Sequence, residues 1–246
     1  MLGFNLKSPL RAAALVMFAV AGLTACGSDN DEIALSKATA GFLKQTGKKI
    51  TSKVSGGGGN TKAAAAQPAA AADPNALIAN ALSATKGPIA IVVRLDTNAV
   101  LAMNPVGRNG DYVTWGSAPG QGITYKRGVM TNTRGLGEDL MSSRVDTAIS
   151  AITSRRDADY SREHFYLGDL GQTSQLTLNC SLRRSGTEKV AIGEVNANSV
   201  IMKESCRKND IAFTNIYWVD GAGRVLKSSQ WVGQRMGSLA IQNLRM

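Results

Sequence analysis

Three cysteines, a single histidine and 18 carboxylate side chains bound the chemistry open to this 246-residue chain. His164, in SREHFYLG, would serve a Ser-His-Asp arrangement only beside a poised serine, and no G-x-S-x-G elbow occurs. A zinc site would need ligands beyond it, and the remaining His or Cys candidates are Cys180 and Cys206. His164 therefore reads as a strand-surface or satisfied core residue, and neither a metal nor a cofactor is expected. Glu138 with Asp139, or Asp220 with Glu204, supply the residue types of a glycosidase pair, but nothing in their spacing sets two of them across one cleft. Trp115, Tyr125, Tyr217, Trp218 and Trp231 could stack on sugar rings, although large aromatics in strands more often fill a core. The doublets Arg155-Arg156 and Arg183-Arg184 read as solvated. No polysaccharide-binding residue is assigned.

The run RGVMTNTRGLGEDLM (127–141) raises the question of a phosphate loop. Such a loop follows a strand, opens a substantial helix and often carries a Lys with Ser/Thr. Here there is no Lys after the glycines, and Glu138 and Asp139 would repel an anion. Gly135 and Gly137 are read as backbone-permissive turn positions, with the acidic pair at the N-terminus of a short helical turn.

Cys26 carries a different chemistry. Lys7 and Arg11 form a basic n-region, and AAALVMFAVAG (12–22) is an apolar h-region too short to cross a bilayer. Leu23-Thr24-Ala25-Cys26 then matches a bacterial lipobox, in which the Cys thiol is alkylated by diacylglycerol and the peptide is cut just before it. Residues 1–25 are thus expected to be a lipoprotein signal peptide, with the mature protein held to a membrane through acylated Cys26. More than one acyl chain makes that anchoring stable. Gly27 stands where an Asp typically retains lipoproteins in the inner membrane, so the periplasmic face of the outer membrane is expected. Loss of Lys7 and Arg11 takes the formal net charge from +10 to +8. A basic chain in the envelope suits acidic partners such as anionic polysaccharide, and export argues against nucleic acid.

The elements that must position these residues are mostly strands. Residues 26–73 read as a tether and linker: polar GSDNDE, a short amphipathic stretch over 33–50, then SGGGGNTKAAAAQPAAAAD (55–73), which cannot bury much surface. Asp73 and Pro74 supply N-cap and N1 signals for a short helix ending at Gly87-Pro88. IAIVVRL (89–95) is a β-branched run, and VTW and ITY flank a Gly/Pro-rich hairpin connection. VDTAISAIT (from 145) is a helical interruption, and HFYL, QLTLNCSLRR, IAFTNIYWVD, RVLKSSQWVG and SLAIQNL follow as strands. A mainly β single domain over 74–246 results: a large antiparallel-rich sheet or barrel with a few short helices. Leu176, Leu178, Cys180 and Leu182 share one parity; Val200, Met202 and Cys206 share another set, broken by Glu204. Both cysteines point with apolar neighbours, and in an oxidising compartment a Cys180–Cys206 disulfide is the leading reading, with two buried thiols the alternative.

The lipobox, GPIAIVVRLD, RGVMTNTRGLGEDL and the C-terminal NIYWVDGAGRVLKSSQWVGQRMGSLAIQNLR together resemble the YjbF/GfcB family of group 4 capsule and exopolysaccharide lipoproteins. The likeness spans about residues 74–246 and is weaker between 145 and 200, while the Gly/Ala-rich linker reads as an insertion. The resemblance implies a barrel-like β fold, outer-membrane anchoring, a role in making or exporting an extracellular polysaccharide, and an outer-membrane β-barrel secretion protein as partner. It brings no catalytic residues. A non-enzymatic export lipoprotein is the favoured reading; a polysaccharide-modifying enzyme, such as a two-carboxylate glycoside hydrolase, is the alternative.

Overall fold

The computed structural model describes residues 73–118, 120–168 and 171–246. Cys26, the 33–50 stretch and the linker up to residue 72 lie outside the described residues. Twelve strands form one antiparallel sheet that curls into a nearly closed barrel. They are β1 (Ile89–Arg94), β2 (Val100–Asn109), β3 (Tyr112–Gly116), β4 (Gly122–Lys126), β5 (Val129–Arg134), β6 (Leu140–Arg144), β7 (Ala158–Leu167), β8 (Thr173–Ile192), β9 (Val195–Lys208), β10 (Ile211–Asp220), β11 (Val225–Gly233) and β12 (Gly237–Arg245). Among the described residues two helices accompany them, α1 (Pro74–Ala84) and α2 (Asp146–Ser154).

The strand order is a meander that closes on itself: β1 pairs with β12, and every other ladder joins consecutive strands. One gap interrupts the ring, between β5 and β6, which are neighbours in sequence but form the two ends of the strand order. Side chains bridge it. Asn132 Nδ2 donates to Met141 O (2.7 Å), and Leu140 N donates to Thr133 Oγ1 (2.9 Å). Gln230 of β11 reaches the β5 backbone, accepting from Met130 N (2.8 Å) and donating to Gly128 O (3.0 Å). Backbone groups that a ladder would have paired thus find side-chain partners, as a buried edge requires.

Alternation along the strands sends one parity inward. Val92, Met103, Ile123, Met130, Leu239 and Ile241 fill one part of the interior. The apolar face of α2, Ala148, Ile149, Ala151 and Ile152, packs on Val129, Leu182, Met202, Tyr217, Val219 and Val225. The other parity of β10–β12 is buried too. Beyond a register shift at Arg184/Gly186, the β8–β9 hairpin folds its far end, Val190 and Val195, onto Ile216, Trp218, Leu226 and Ala240. Helix α1 covers Ile89, Ile91 and Leu244 beside it. This double burial explains why IAFTNIYWVD lacks clean polar alternation.

Helix α1 begins as its sequence indicates: Asp73 accepts from Asn75 N at 3.0 Å, and Pro74 follows. Three features differ from the sequence reading. Strand β2 contains Pro105 and Gly107, which a strand interior disfavours; a register shift between them accommodates both. Strand β8 runs on through polar SGTEK, because that segment is the exposed side of the folded-over hairpin. No helical turn follows Glu138-Asp139: residues 135–138 form a bend and Leu140 opens β6. Gly135 and Gly137 do take positive φ, 73° and 112°, as turn positions do.

Candidate functional site

A cavity of about 420 Å³ opens between β1–β4, the β10–β11 turn and β12. Its inner wall is the packed interior: Val92, Met103, Tyr125 and Ile241 line it and belong to the central cluster. Trp115, half-buried, forms part of one side, and Arg108, Arg127 and Arg224 stand at the rim. Asp111 is the one acidic side chain of the lining. Arg224 is tied to Asp220 (Nη2–Oδ2 2.7 Å), whereas Arg108 and Arg127 have no side-chain partner among the described residues.

Local backbone chemistry sets this rim. Arg127 and Gly128 form a two-residue β4–β5 turn, both at positive φ (50° and 87°). That pattern matches the twist of a hairpin but costs a non-glycine residue about 1 kcal/mol. A Cβ on Gly128 would sit 2.6 Å from Val225 Cβ, so only glycine lets this turn press against β11. Tyr125, one turn inward, is 8% exposed, and its hydroxyl has no protein partner. Burial pushes that phenol well above its ordinary pKa, so it stays a neutral donor.

A second polar feature lies within the barrel. Along β7, Tyr160, Arg162, His164 and Tyr166 alternate inward. Glu204, wholly buried, accepts from Tyr160 Oη (2.7 Å), Arg162 Nη1 (2.7 Å), Asn215 Nδ2 (2.7 Å) and Tyr217 Oη (3.1 Å). Burial works against the Arg162 charge, but the adjacent Glu204 carboxylate more than offsets it and holds the guanidinium above its ordinary pKa. Arg162 Nη2 also approaches Met130 O (3.5 Å) of β5, and Asn215 Oδ1 accepts from Trp231 N (2.7 Å). The network therefore couples β7, β9, β10 and β11, and reaches β5 across the gap.

Cys180 and Cys206 face each other in the β8–β9 ladder and are bonded, with S–S 2.04 Å and Cα–Cα 4.1 Å. Glu204 lies close enough that the three could resemble a ligand set, with donor atoms within 4.8 Å of one another. A disulfide sulfur is not a thiolate, however, and both Glu204 oxygens are occupied by donors, so the trio offers no cation site. A thiol titration under denaturing, non-reducing conditions should find no free thiol from this pair.

The other residues picked from the sequence are dispersed. Asp139 accepts from Gly135 N (2.8 Å) and Leu136 N (3.1 Å), capping its own bend. Glu138 Oε2 accepts from Arg235 N (2.7 Å) and Met236 N (3.1 Å) in the β11–β12 turn, where a Cβ on Gly233 would lie 2.4 Å from that oxygen. RGLGEDL and QWVGQRMG, two of the segments that carry the family resemblance, thus meet in space. Asp220 caps the β10–β11 turn through Ala222 N (2.9 Å) and Arg224 N (2.8 Å). None of Glu138, Asp139, Glu204 and Asp220 lines the mouth cavity. Of the five aromatics, Trp115 and Tyr125 line it; Tyr217, Trp218 and Trp231 are buried elsewhere. Of the arginine doublets, Arg156, Arg183 and Arg184 are exposed and Arg155 is half-buried, and they also make contacts. Arg183 Nη2 meets both Asp159 oxygens at 2.9 Å, Arg155 donates to Asp220 O, and Arg184 Nη2 donates to Arg155 O (3.1 Å).

His164 is fully buried, stacked near Trp231 (5.8 Å) and Phe213 (6.1 Å). Tyr166 Oη donates to Val232 O (2.7 Å), so its lone pair receives the His164 Nδ1 proton (3.2 Å). Nε2 then has no protein partner. It is a core residue, satisfied on one nitrogen only. Burial, reinforced by the Arg162 charge, holds its pKa well below the ordinary value. The sign follows from linkage: the unfolded chain binds a proton below about pH 6.5 that the folded chain refuses, so stability is complete above that pH and falls below it. Being the sole histidine, His164 should account for about 2 kcal/mol lost between pH 7 and pH 5. Denaturant midpoints across that range should decline in the native protein and stay level in His164→Gln.

The sequence matches a family model, group 4 capsule polysaccharide lipoprotein gfcB, YjbF, over residues 49–244. The match begins ahead of residue 74, at residue 49. Among solved structures, the hypothetical lipoprotein YmcC from Escherichia coli (K12) is similar, with a TM-score of 0.59 at 15% sequence identity over 73% of this chain and 98% of that one. At that identity the likeness is one of fold. No curated protein sequence matches significantly.

Proposed function

Because the chain belongs to the YjbF/GfcB family of group 4 capsule polysaccharide lipoproteins, we propose that it is a non-catalytic lipoprotein that assists assembly or export of an extracellular polysaccharide. Acylated Cys26 holds it on the periplasmic face of the outer membrane, and residues between the anchor and α1 let the barrel stand off the bilayer. Its working contacts are the polymer itself and an outer-membrane β-barrel secretion protein. The observation that carries this reading is the family match over residues 49–244. Both oxygens of Asp139, Glu204 and Asp220 are engaged in turn caps and a buried ion pair. This leaves Glu138, whose Oε1 accepts no hydrogen bond, without a carboxylate partner among the four, and favours this reading over the glycoside hydrolase alternative. A general acid or base must keep an oxygen free for substrate.

A strain lacking the gene should lose most of its surface polysaccharide, measured by uronic-acid assay of washed cells. The wild-type gene should restore it, and Cys26→Ala should not, although immunoblotting finds the variant protein at the wild-type level. Full surface polysaccharide in the deletion strain would reject the role, and full rescue by Cys26→Ala would reject the anchor.

A further inference from the structure

The mouth cavity has three properties that together select a ligand. Its volume, about 420 Å³, lies in the range of small-molecule sites, about 300–1,000 Å³. Its rim carries three arginines against one carboxylate side chain, and two of those arginines, Arg108 and Arg127, are unpaired among the described residues. Arg127 is held over the mouth by a turn that keeps a non-glycine residue in the left-handed region, a strain that a bend alone would avoid by using Asn or Gly. The third property is the Tyr125 hydroxyl, buried at the inner wall without a partner. That hydroxyl is closed off from the cavity as it stands; a ligand rich in hydroxyls satisfies it once the phenol swings toward the mouth, whereas an acyl chain leaves it without a partner. Trp115 offers an indole face beside it. The cavity ends against the packed residues Val92, Met103 and Ile241, so a polymer enters by its end and does not pass through.

We propose that this cavity binds the terminal acidic sugar of a polysaccharide chain, its carboxylate on Arg108 and Arg127, a ring hydroxyl on Tyr125 and a ring face on Trp115. The inference rests on the capsule-related role proposed above and gives it a site: the protein recognises chain ends, which a groove along the sheet would not distinguish from internal units. Arg224 is already tied to Asp220 and contributes charge more than a direct contact.

The test uses the whole lipidated protein in phosphatidylethanolamine/phosphatidylglycerol nanodiscs, titrated with tetrasaccharides ending in glucuronic or galacturonic acid and followed by calorimetry. One of the two should bind at one site per chain, more weakly as salt rises. The carboxyl-reduced tetrasaccharide should bind at least about tenfold more weakly, as should Arg108→Gln/Arg127→Gln toward the acidic one. Tyr125→Phe should lose about three- to tenfold. Arg108 and Arg127 are exposed hairpin residues, so an unchanged melting temperature shows that their variants fold. Absence of binding by both acidic tetrasaccharides up to ~10 mM would overturn the proposal, as would equal binding of the neutral one. Arginine-dependent binding of laurate in place of the sugars would overturn it as well, in favour of an anionic amphiphile. Failure here is separable from failure of the export role. Surface polysaccharide lost on deletion without sugar binding rejects the site alone, while end-specific binding with polysaccharide intact on deletion rejects the role alone.

Discussion

Glu204→Ala should lower the stability of the barrel by about 3–5 kcal/mol. The carboxylate is 0% exposed and its partner Arg162 2% exposed, so removing one member leaves a guanidinium in the interior with no counter-charge. Tyr160, Asn215 and Tyr217 lose their acceptor in the same step. For a domain of this size the loss corresponds to a fall in melting temperature of roughly 6–20 °C. Guanidinium titration should show a lower midpoint at an unchanged slope. The decisive comparison is Arg162→Met/Glu204→Leu, which removes both charges together. It should be less destabilised than Glu204→Ala, because the cost arises from the orphaned charge and not from the missing attraction. A double variant worse than either single would show that the pair itself contributes net stability and would refute this account.

Removing the Cys180–Cys206 bond should have a comparable effect. The bridge closes a loop with a sequence separation of 26, for which the chain-entropy relation suggests roughly 3.5 kcal/mol. Cys180→Ala/Cys206→Ala should lose this amount relative to the oxidised protein. The reduced wild-type protein should fall close to the double variant, since both cysteines are buried and pack as small apolar residues. Oxidised and reduced wild-type proteins with equal denaturant midpoints would remove any stabilising role for the bridge. The disulfide and Glu204 sit in adjacent inward rows of β8–β10, Tyr160–Cys180–Cys206–Phe213 and Leu182–Glu204–Asn215. Losses from the two variants are therefore not expected to add.

Much of the barrel was legible in the sequence because apolar runs separated by turn residues survive as strands wherever one or both faces are buried. IAIVVR and IAFTNIYWVD are such cases. Strand β2 and the full length of β8 were not, since a proline at a register shift and a polar hairpin arm carry no alternation. Glu204 did leave a signal: it breaks the inward parity of Met202 and Cys206, and a charge at such a position must find a buried partner. That the partner is Arg162, 42 residues away, depends on strand register, which local pattern does not determine. The mouth was half visible. Trp115 and Tyr125 stood out as aromatics, but Arg108, Arg127 and Arg224 come from separate hairpin tips that only barrel closure gathers. The acidic pair of RGLGEDLM was read against a helix start, because its real partners include a turn nearly a hundred residues later.

The order of the ladders also implies an order of assembly. Ten of the eleven ladders join strands consecutive in the chain, and β1 with β12 is the exception. Hairpins can zip locally into two independent arms, β1–β5 and β6–β12, hinged at residues 134–140. Docking the arms requires closing a loop of about 150 residues between β1 and β12, about 2–3 kcal/mol dearer than a ten-residue hairpin. The contacts that reward this step are those spanning the arms: Glu138 on the β11–β12 turn, Gln230 on Met130 and Arg162 on the same strand. The gap between β5 and β6 is thus the crease about which the barrel is expected to shut, with joining of the arms expected as the slow event of folding; refolding rates that Gln230→Ala leaves unchanged would refute this.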